Sequence, residues 1–140
     1  MREIKFRGKS GNQWYYGDLE YNQRTLVARI HEYQEDGNYK GQHTVNPNTV
    51  GQFTGLHDKN GKEIYEGDIL TTANKEGKPF GVVTWNSYGY FYIDDTLGKN
   101  NIREPQRVPI GQFVSAIIGG KPTDVEVIGN IHENKELLEQ

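Results

Sequence analysis

Cysteine is absent from the 140-residue sequence, which excludes disulfide staples, a thiolate nucleophile and cysteine-ligated zinc. Long apolar runs are missing too. No stretch is long enough to cross a membrane and no signal-peptide apolar region follows Met1, so a soluble protein of the cytoplasm is expected. An excess of basic residues is also lacking: the formal net charge is -3 and the isoelectric point is near 5.8. A strongly basic nucleic-acid binder is therefore disfavoured, because neutralising phosphates takes clustered Lys and Arg. Hydrophobic residues make up only 34% and the mean hydropathy is -0.84, so a modest core must rest on a few aromatic and branched side chains. Trp14, Phe53, Phe80, Trp85, Phe91 and Phe113 are the expected anchors.

Glycine is abundant, with 17 residues, and 5 prolines are dispersed among them. That pattern means many turns and short elements, favouring β structure over long helices. The length suits one compact domain or two small subdomains. The expected division is an N-terminal β subdomain over 1–48 and a β-barrel-like subdomain over 49–140 with a short C-terminal turn, the two sharing one core.

Alternation in Glu3 to Arg7 puts Ile4 and Phe6 inward, the period of a half-buried strand. Trp14 to Tyr21 reads as a second strand, with Trp14, Tyr16 and Leu19 buried and Gly17 as a bulge that shifts the phase. Leu26 to Ile30 is a third, and the polar stretch Glu32 to Gln42, with Asp36-Gly37, reads as a loop or a wide hairpin end. Further on, Asp68 to Thr72, Phe80 to Trp85 and Tyr90 to Ile93 are short strands separated by tight turns. Such spacing predicts a mainly β fold with little helix, either a small SH3-like barrel or a strongly bent sheet. The run Phe113 to Ile118 fits both a helix and a buried strand, and it is the expected surface for self-association into a homo-oligomer. Val125 to Ile131 is the last strand, and Asn134 suits the N-cap of a short terminal turn.

Reactive constellations are scarce. His31, His43, His57 and His132 stand singly, none at the spacing of a metal motif. Asp94-Asp95 makes a poor cation cage, because adjacent strand residues point to opposite faces. Glu63, Glu66 and Asp68 read as strand-surface and turn residues, with the Asp68 carboxylate accepting turn N–H groups. Ser10, Ser87 and Ser115 lack a nucleophile context. No catalytic residue, metal or cofactor is expected, and a hydrolase built on Asp68 with a histidine is the least supported class. Tyr88, Tyr90 and Tyr92 fall on one face of one strand, opposite Phe91 and Ile93. Exposed, they form a stripe on which a protein partner docks or unpaired bases stack. They are the candidate interaction surface.

Nearly every position from Thr49 to Leu70, TVGQFTGLHDKNGKEIYEGDIL, has a readable structural job. Asn60 and Gly61 supply the positive φ of a hairpin turn, and Glu66, Gly67 and Asp68 make a second tight turn. Together with the opening MREIKFRGKS, the WYYGDL from Trp14 and the closing VEVIGNIHENKELL, this segment closely resembles the YopX family of phage and prophage proteins. One departure is Lys135, where the family commonly has Pro after the Asn. The resemblance implies a mostly β protein of a phage or prophage in the bacterial cytoplasm, and it brings no catalytic or ligand residues. The expected function is a non-enzymatic module that binds a phage or host protein. The alternative is a single-stranded nucleic-acid accessory protein, resting on the tyrosine stripe and the basic Arg2, Lys5, Arg7 and Lys9.

Overall fold

A computed structural model of the chain describes residues 3–72, 75–86, 89–95, 108–109 and 125–139. Among these the structure is mainly β, with a 3-10 turn at Lys135–Leu138. The chain divides into two compact units between Gly55 and Leu56, whereas the sequence expectation sets the boundary at residues 48 and 49.

The first unit is built from β1 (Phe6–Ser10), β2 (Gln13–Asn22), β3 (Val27–Tyr33) and most of β4 (Tyr39–His57). All pairings are antiparallel, and they run β1–β2–β3–β4 and return to β1. Two strands make this curvature by changing partner along their length. Gln13 to Gly17 of β2 pair with β1, while Asp18 to Asn22 pair with β3. Tyr39 to Val45 of β4 pair with β3, while Asn46 onward pairs with β1. A strongly bent sheet forms as expected, but in this first unit, whereas the sequence reading places it among the strands after residue 48. Gly17 stands at the bend of β2, where a Cβ would lie 2.0 Å from the backbone oxygen of His31. Gly8 similarly leaves room for Val45, which a Cβ there would meet at 2.5 Å. Ala28, Ile30 and Val45 form the inner core, with Phe6, Tyr15, Leu19 and Val50 packed on it.

Three inward positions differ from those the alternation predicts, and Trp14 is one: it shares the face of Arg7, Lys9 and Tyr16, opposite that of Tyr15 and Leu19. Ile4 is exposed, because the strand begins only at Phe6. Tyr16 is also exposed, and Tyr15 takes the inner position. The register through Gly17 is continuous, so Tyr15, Gly17, Leu19 and Tyr21 share one face and no bulge shifts the phase.

The second unit holds β5 (Glu63–Tyr65), β6 (Asp68–Thr72), β7 (Gly81–Asn86), β8 (Tyr90–Asp94), β9 (Val108–Pro109) and β10 (Val125–Asn130). Its antiparallel sheet has the order β10-β6-β7-β8-β9. Ile64, Leu70, Val83, Ile93, Val125 and Val127 make a separate core, flanked by Leu56, Phe80 and Phe91. Trp85 does not join it. The indole shares the face of Val83 but stands at the end of β7 against Phe91, ring centroids 4.8 Å apart, and is 47% exposed.

At the turn from Asp58, Gly61 alone takes the positive φ, at 80, that the sequence reading assigns to Asn60 and Gly61 together. Asp58 is buried; its Oδ1 accepts the N–H groups of Asn60 and Lys62, and its Oδ2 accepts the N–H of Val127 on β10. The N–H of Lys59 donates to the oxygen of Val125, and its Nζ lies 3.1 Å from Glu126. One turn therefore staples the distant final strand. At the next turn the Asp68 Oδ2 accepts the Tyr65 N–H, while Gly67, at φ 93, donates to Val83 and accepts from Ile131. Asn134 precedes the terminal 3-10 turn but does not cap it with its side chain; its Oδ1 instead accepts the N–H of Asn130.

Candidate interaction surface

The tyrosine stripe expected on β8 meets three different outcomes. Tyr88 lies outside the described residues. Tyr90 opens β8 opposite Asn86, with its side chain outside the described ones. Tyr92 is buried, at 8% exposure, and so is its neighbour Ile93. Adjacent strand residues point to opposite faces, so the burial of both Tyr92 and Ile93 means that β8 is covered on each face at this point. The apolar run Phe113 to Ile118 also lies outside the described residues, as does the stretch from Leu97 up to Val108.

A different aromatic surface stands on the first unit. Alternation along β3 sends Ala28 and Ile30 inward and Arg29, His31 and Tyr33 outward. The turn after β3 closes through Gln34 and Asn38, with the Asp36 Oδ1 accepting the Asn38 N–H and Gly37 at φ 87. A register shift between Glu32 and Tyr33 then sets Tyr39 of β4 directly opposite Tyr33. Their rings meet edge to face with centroids 5.5 Å apart, and the two tyrosines are 51% and 53% exposed. Tyr16, on the outer face of β2, is 44% exposed.

Polar groups hold this face in one arrangement. The hydroxyl of Tyr39 lies 3.0 Å from His31 Nδ1, and His31 Nε2 lies 3.5 Å from Glu20 Oε1. Arg29 donates to Glu20 Oε2 at 2.8 Å. The bond from Arg29, reinforced by the positive charge of Arg29 and by His31, holds the Glu20 carboxyl below the usual carboxylate range. The opposite face of the same strands carries a second set. There the Tyr15 ring stacks on His43 at 3.7 Å with 12° between planes. His43 Nε2 and Lys40 Nζ approach one oxygen of Glu32 at 3.5 and 3.6 Å.

Each of these two histidines therefore pairs with a glutamate on a neighbouring strand or across the hairpin, although the sequence shows them singly. The signal that finds Tyr33 and Tyr39 is the hairpin turn at Asp36-Gly37, which makes flanking residues cross-strand partners. The pairing of His31 with Glu20 depends on the register of β2 against β3, which spacing alone does not reveal. His57 is exposed beside its turn, as expected. Among the described residues no group of three or more His, Asp or Glu side chains is placed to hold a metal ion, and no helix is long and apolar enough to cross a membrane. Of the basic N-terminal residues, Arg7 is buried with its guanidinium 4.7 Å from the Trp14 ring centre, and Lys9 Nζ stands 6.0 Å from the same ring.

No curated protein matches the chain. The sequence profile of the family described as YopX protein matches residues 5–139. With nearly the whole length covered, through both units and every strand, the chain belongs to the YopX family.

Proposed function

We propose that this protein is a non-enzymatic interaction module that binds a protein of a phage or of its bacterial host through the outer face of β2, β3 and β4. The observation that carries the reading is the exposed Tyr33–Tyr39 pair on a sheet face, with Tyr16 exposed on the adjoining strand. Tyrosine is enriched where proteins dock, since it offers a large rigid ring at little entropic cost and a hydroxyl for the rim. Bonding among Tyr39, His31, Glu20 and Arg29 adds pre-organisation, which lowers the cost of ordering on binding. Affinity capture from infected cells tests it. The wild-type protein retains a specific partner, and the double variant Tyr33→Ala/Tyr39→Ala, with an unchanged melt, loses it by about tenfold or more. Recovery of the same partner by that variant overturns the assignment of the surface.

The nucleic-acid reading keeps less support. Tyr92 is buried and Arg7 is drawn over Trp14, so two of the groups that reading needs are not offered to bases or phosphates. Fluorescence anisotropy of labelled single strands at physiological salt is expected to show no specific binding. Tight binding that falls steeply with salt and is lost in Tyr90→Ala promotes that reading instead.

A further inference from the structure

A second feature of the first unit is one edge of β2, whose outward residues Asp18 and Glu20 border the tyrosine face while its inward residues Leu19 and Tyr21 turn away from it. Asp18 to Asn22 of β2 pair with β3 along one edge only, since β1 takes its partners from Gln13 to Gly17. Among the described residues no strand pairs with the other edge. Asp18, Glu20, Tyr21 and Asn22 are all exposed. Beside this edge is an apolar cavity of about 350 Å³, lined by Leu19, Tyr21, Ala28, Pro47, Asn48 and Val50.

The chain keeps this place open by its own local chemistry. The register between β1 and β4 jumps from Lys9 opposite Asn46 to Arg7 opposite Gly51. Pro47 to Val50 consequently form a bulge of β4 across from Gly8 alone, with Thr49 buried and Val50 packed on the core. The Asn46 Oδ1 accepts the Asn48 N–H, the Thr49 hydroxyl donates to the Asn46 oxygen, and the Lys9 N–H donates to the Thr49 hydroxyl. Pro47 has no N–H with which to extend a ladder. The bulge is thereby held by its own bonds, with Pro47, Asn48 and Val50 lining the cavity.

We propose that this slot receives an extended segment of a partner protein, added as a strand along Asp18–Asn22. Addition to a free edge takes affinity from main-chain bonds and selectivity from pockets that accept alternate side chains. Here the inward residues Leu19 and Tyr21 wall the cavity, so the apolar side chains of the incoming segment have room to enter it. The outward residues of the same edge are Asp18 and Glu20. Residues directly across from them on an added strand are favoured when they are Lys or Arg. Asp18 makes no ion pair among the described residues, whereas Glu20 is already engaged with Arg29 and His31. The occupant is therefore a segment alternating apolar and basic residues. The edge also lacks the lysines that usually discourage strand addition.

The probe is a fluorescein-labelled hexapeptide alternating Lys and Val, titrated into the full chain by anisotropy, with amide exchange read residue by residue. Wild-type protein binds it, and exchange slows within Asp18–Asn22. Asp18→Lys and Tyr21→Ala each weaken binding by about fivefold or more, with unchanged melts. The peptide with Glu in place of Lys does not bind wild type and gains affinity for Asp18→Lys. Tyr33→Ala/Tyr39→Ala binds the probe normally, so failure of the tyrosine face and failure of this slot are told apart. An affinity insensitive to both Asp18→Lys and Tyr21→Ala overturns the proposal, as does slowed exchange confined to other strands. A dimeric mass with Asp18–Asn22 protected before any peptide is added assigns the slot to a second copy. The same protection produced by an oligonucleotide assigns it to nucleic acid. Either result also overturns the proposal.

Discussion

Single side chains in this fold do the work of long-range contacts, and Asp58 is the most demanding of them. Its carboxylate accepts three backbone N–H groups, one of them from Val127 in a strand 69 residues away. Removing it strands buried donors as well as losing charge-assisted bonds. Asp58→Ala is expected to cost about 3 kcal/mol, and Asp58→Asn less, as read from urea unfolding with both probes of β content and Trp fluorescence. Trp85 is the opposite case. A half-exposed indole that rests on Phe91 should lose about 1 kcal/mol on truncation to Ala, against the roughly 3–5 kcal/mol of a fully buried one. A melt lowered by the larger amount would place the indole within a core. Gly67, at φ 93 with both backbone groups bonded across strands, is expected to resist substitution: Gly67→Val costs about 1–3 kcal/mol from the backbone conformation alone.

Elements are decided by where they bend and what crosses between them. β2 changes partner at Gly17, and the missing Cβ is what lets His31 approach. Gly17→Ala must push β3 away from β2, a change expected to cost about 1–3 kcal/mol or more and to weaken exchange protection along Ala28 to His31. Gly11 makes the control, since its φ of +59 leaves open space for a Cβ, and Gly11→Ala costs only the left-handed backbone, about 1 kcal/mol. Equal effects of the two substitutions would show that the approach of His31 does not depend on Gly17. Between the same strands, the Arg29 bond keeps Glu20 ionised to lower pH than usual. A carboxyl with a depressed folded value contributes above its unfolded value and loses that contribution as pH falls through the folded one. The effect lies on the acid side, below the ordinary carboxylate range. Glu20 is solvent-exposed, so the readout is its titration by NMR, which moves up toward the ordinary value in Arg29→Met. An unmoved titration would mean the bond is not formed in solution.

At the scale of the whole chain, the two units have, among the described residues, separate core clusters: Ala28, Ile30 and Val45 in one, Ile64, Leu70, Val83, Ile93, Val125 and Val127 in the other. A cavity made in one core should therefore loosen that unit first. Ile30→Ala, costing roughly 2–5 kcal/mol, is expected to speed amide exchange across β1 to β3 before it affects β6 and β7. Val83→Ala is expected to do the reverse. Simultaneous loss of protection in both units by either variant would show that they unfold as one. The separation bears on function as well, because the tyrosine face and the open edge of β2 both stand on the first unit.

Local chemistry alone was enough to read the turns and most of the strands. Asp58 to Gly61 and Glu66 to Asp68 have the side-chain acceptors and the positive-φ glycines that their turns require, and those preferences act within four residues. Alternation located β6, β7, β8 and β10 closely, and the motif residues identified the family. What the sequence did not contain was the phase at strand ends and the register between strands. Tyr16 and Tyr15 differ by one position, and only the pairing of Gly8 with Tyr15 and Leu19 with Ile30 decides which ring faces inward. The same is true of Tyr92, which lies on a face that packing covers, and of Trp85, which stands at the end of β7 against Phe91 and stays half exposed. His31 meets Glu20 and Tyr39 only through β2 and β4 at once. Turns obey short-range torsional preferences written in adjacent residues, whereas a surface is the sum of pairings between distant strands, and only the assembled fold supplies those.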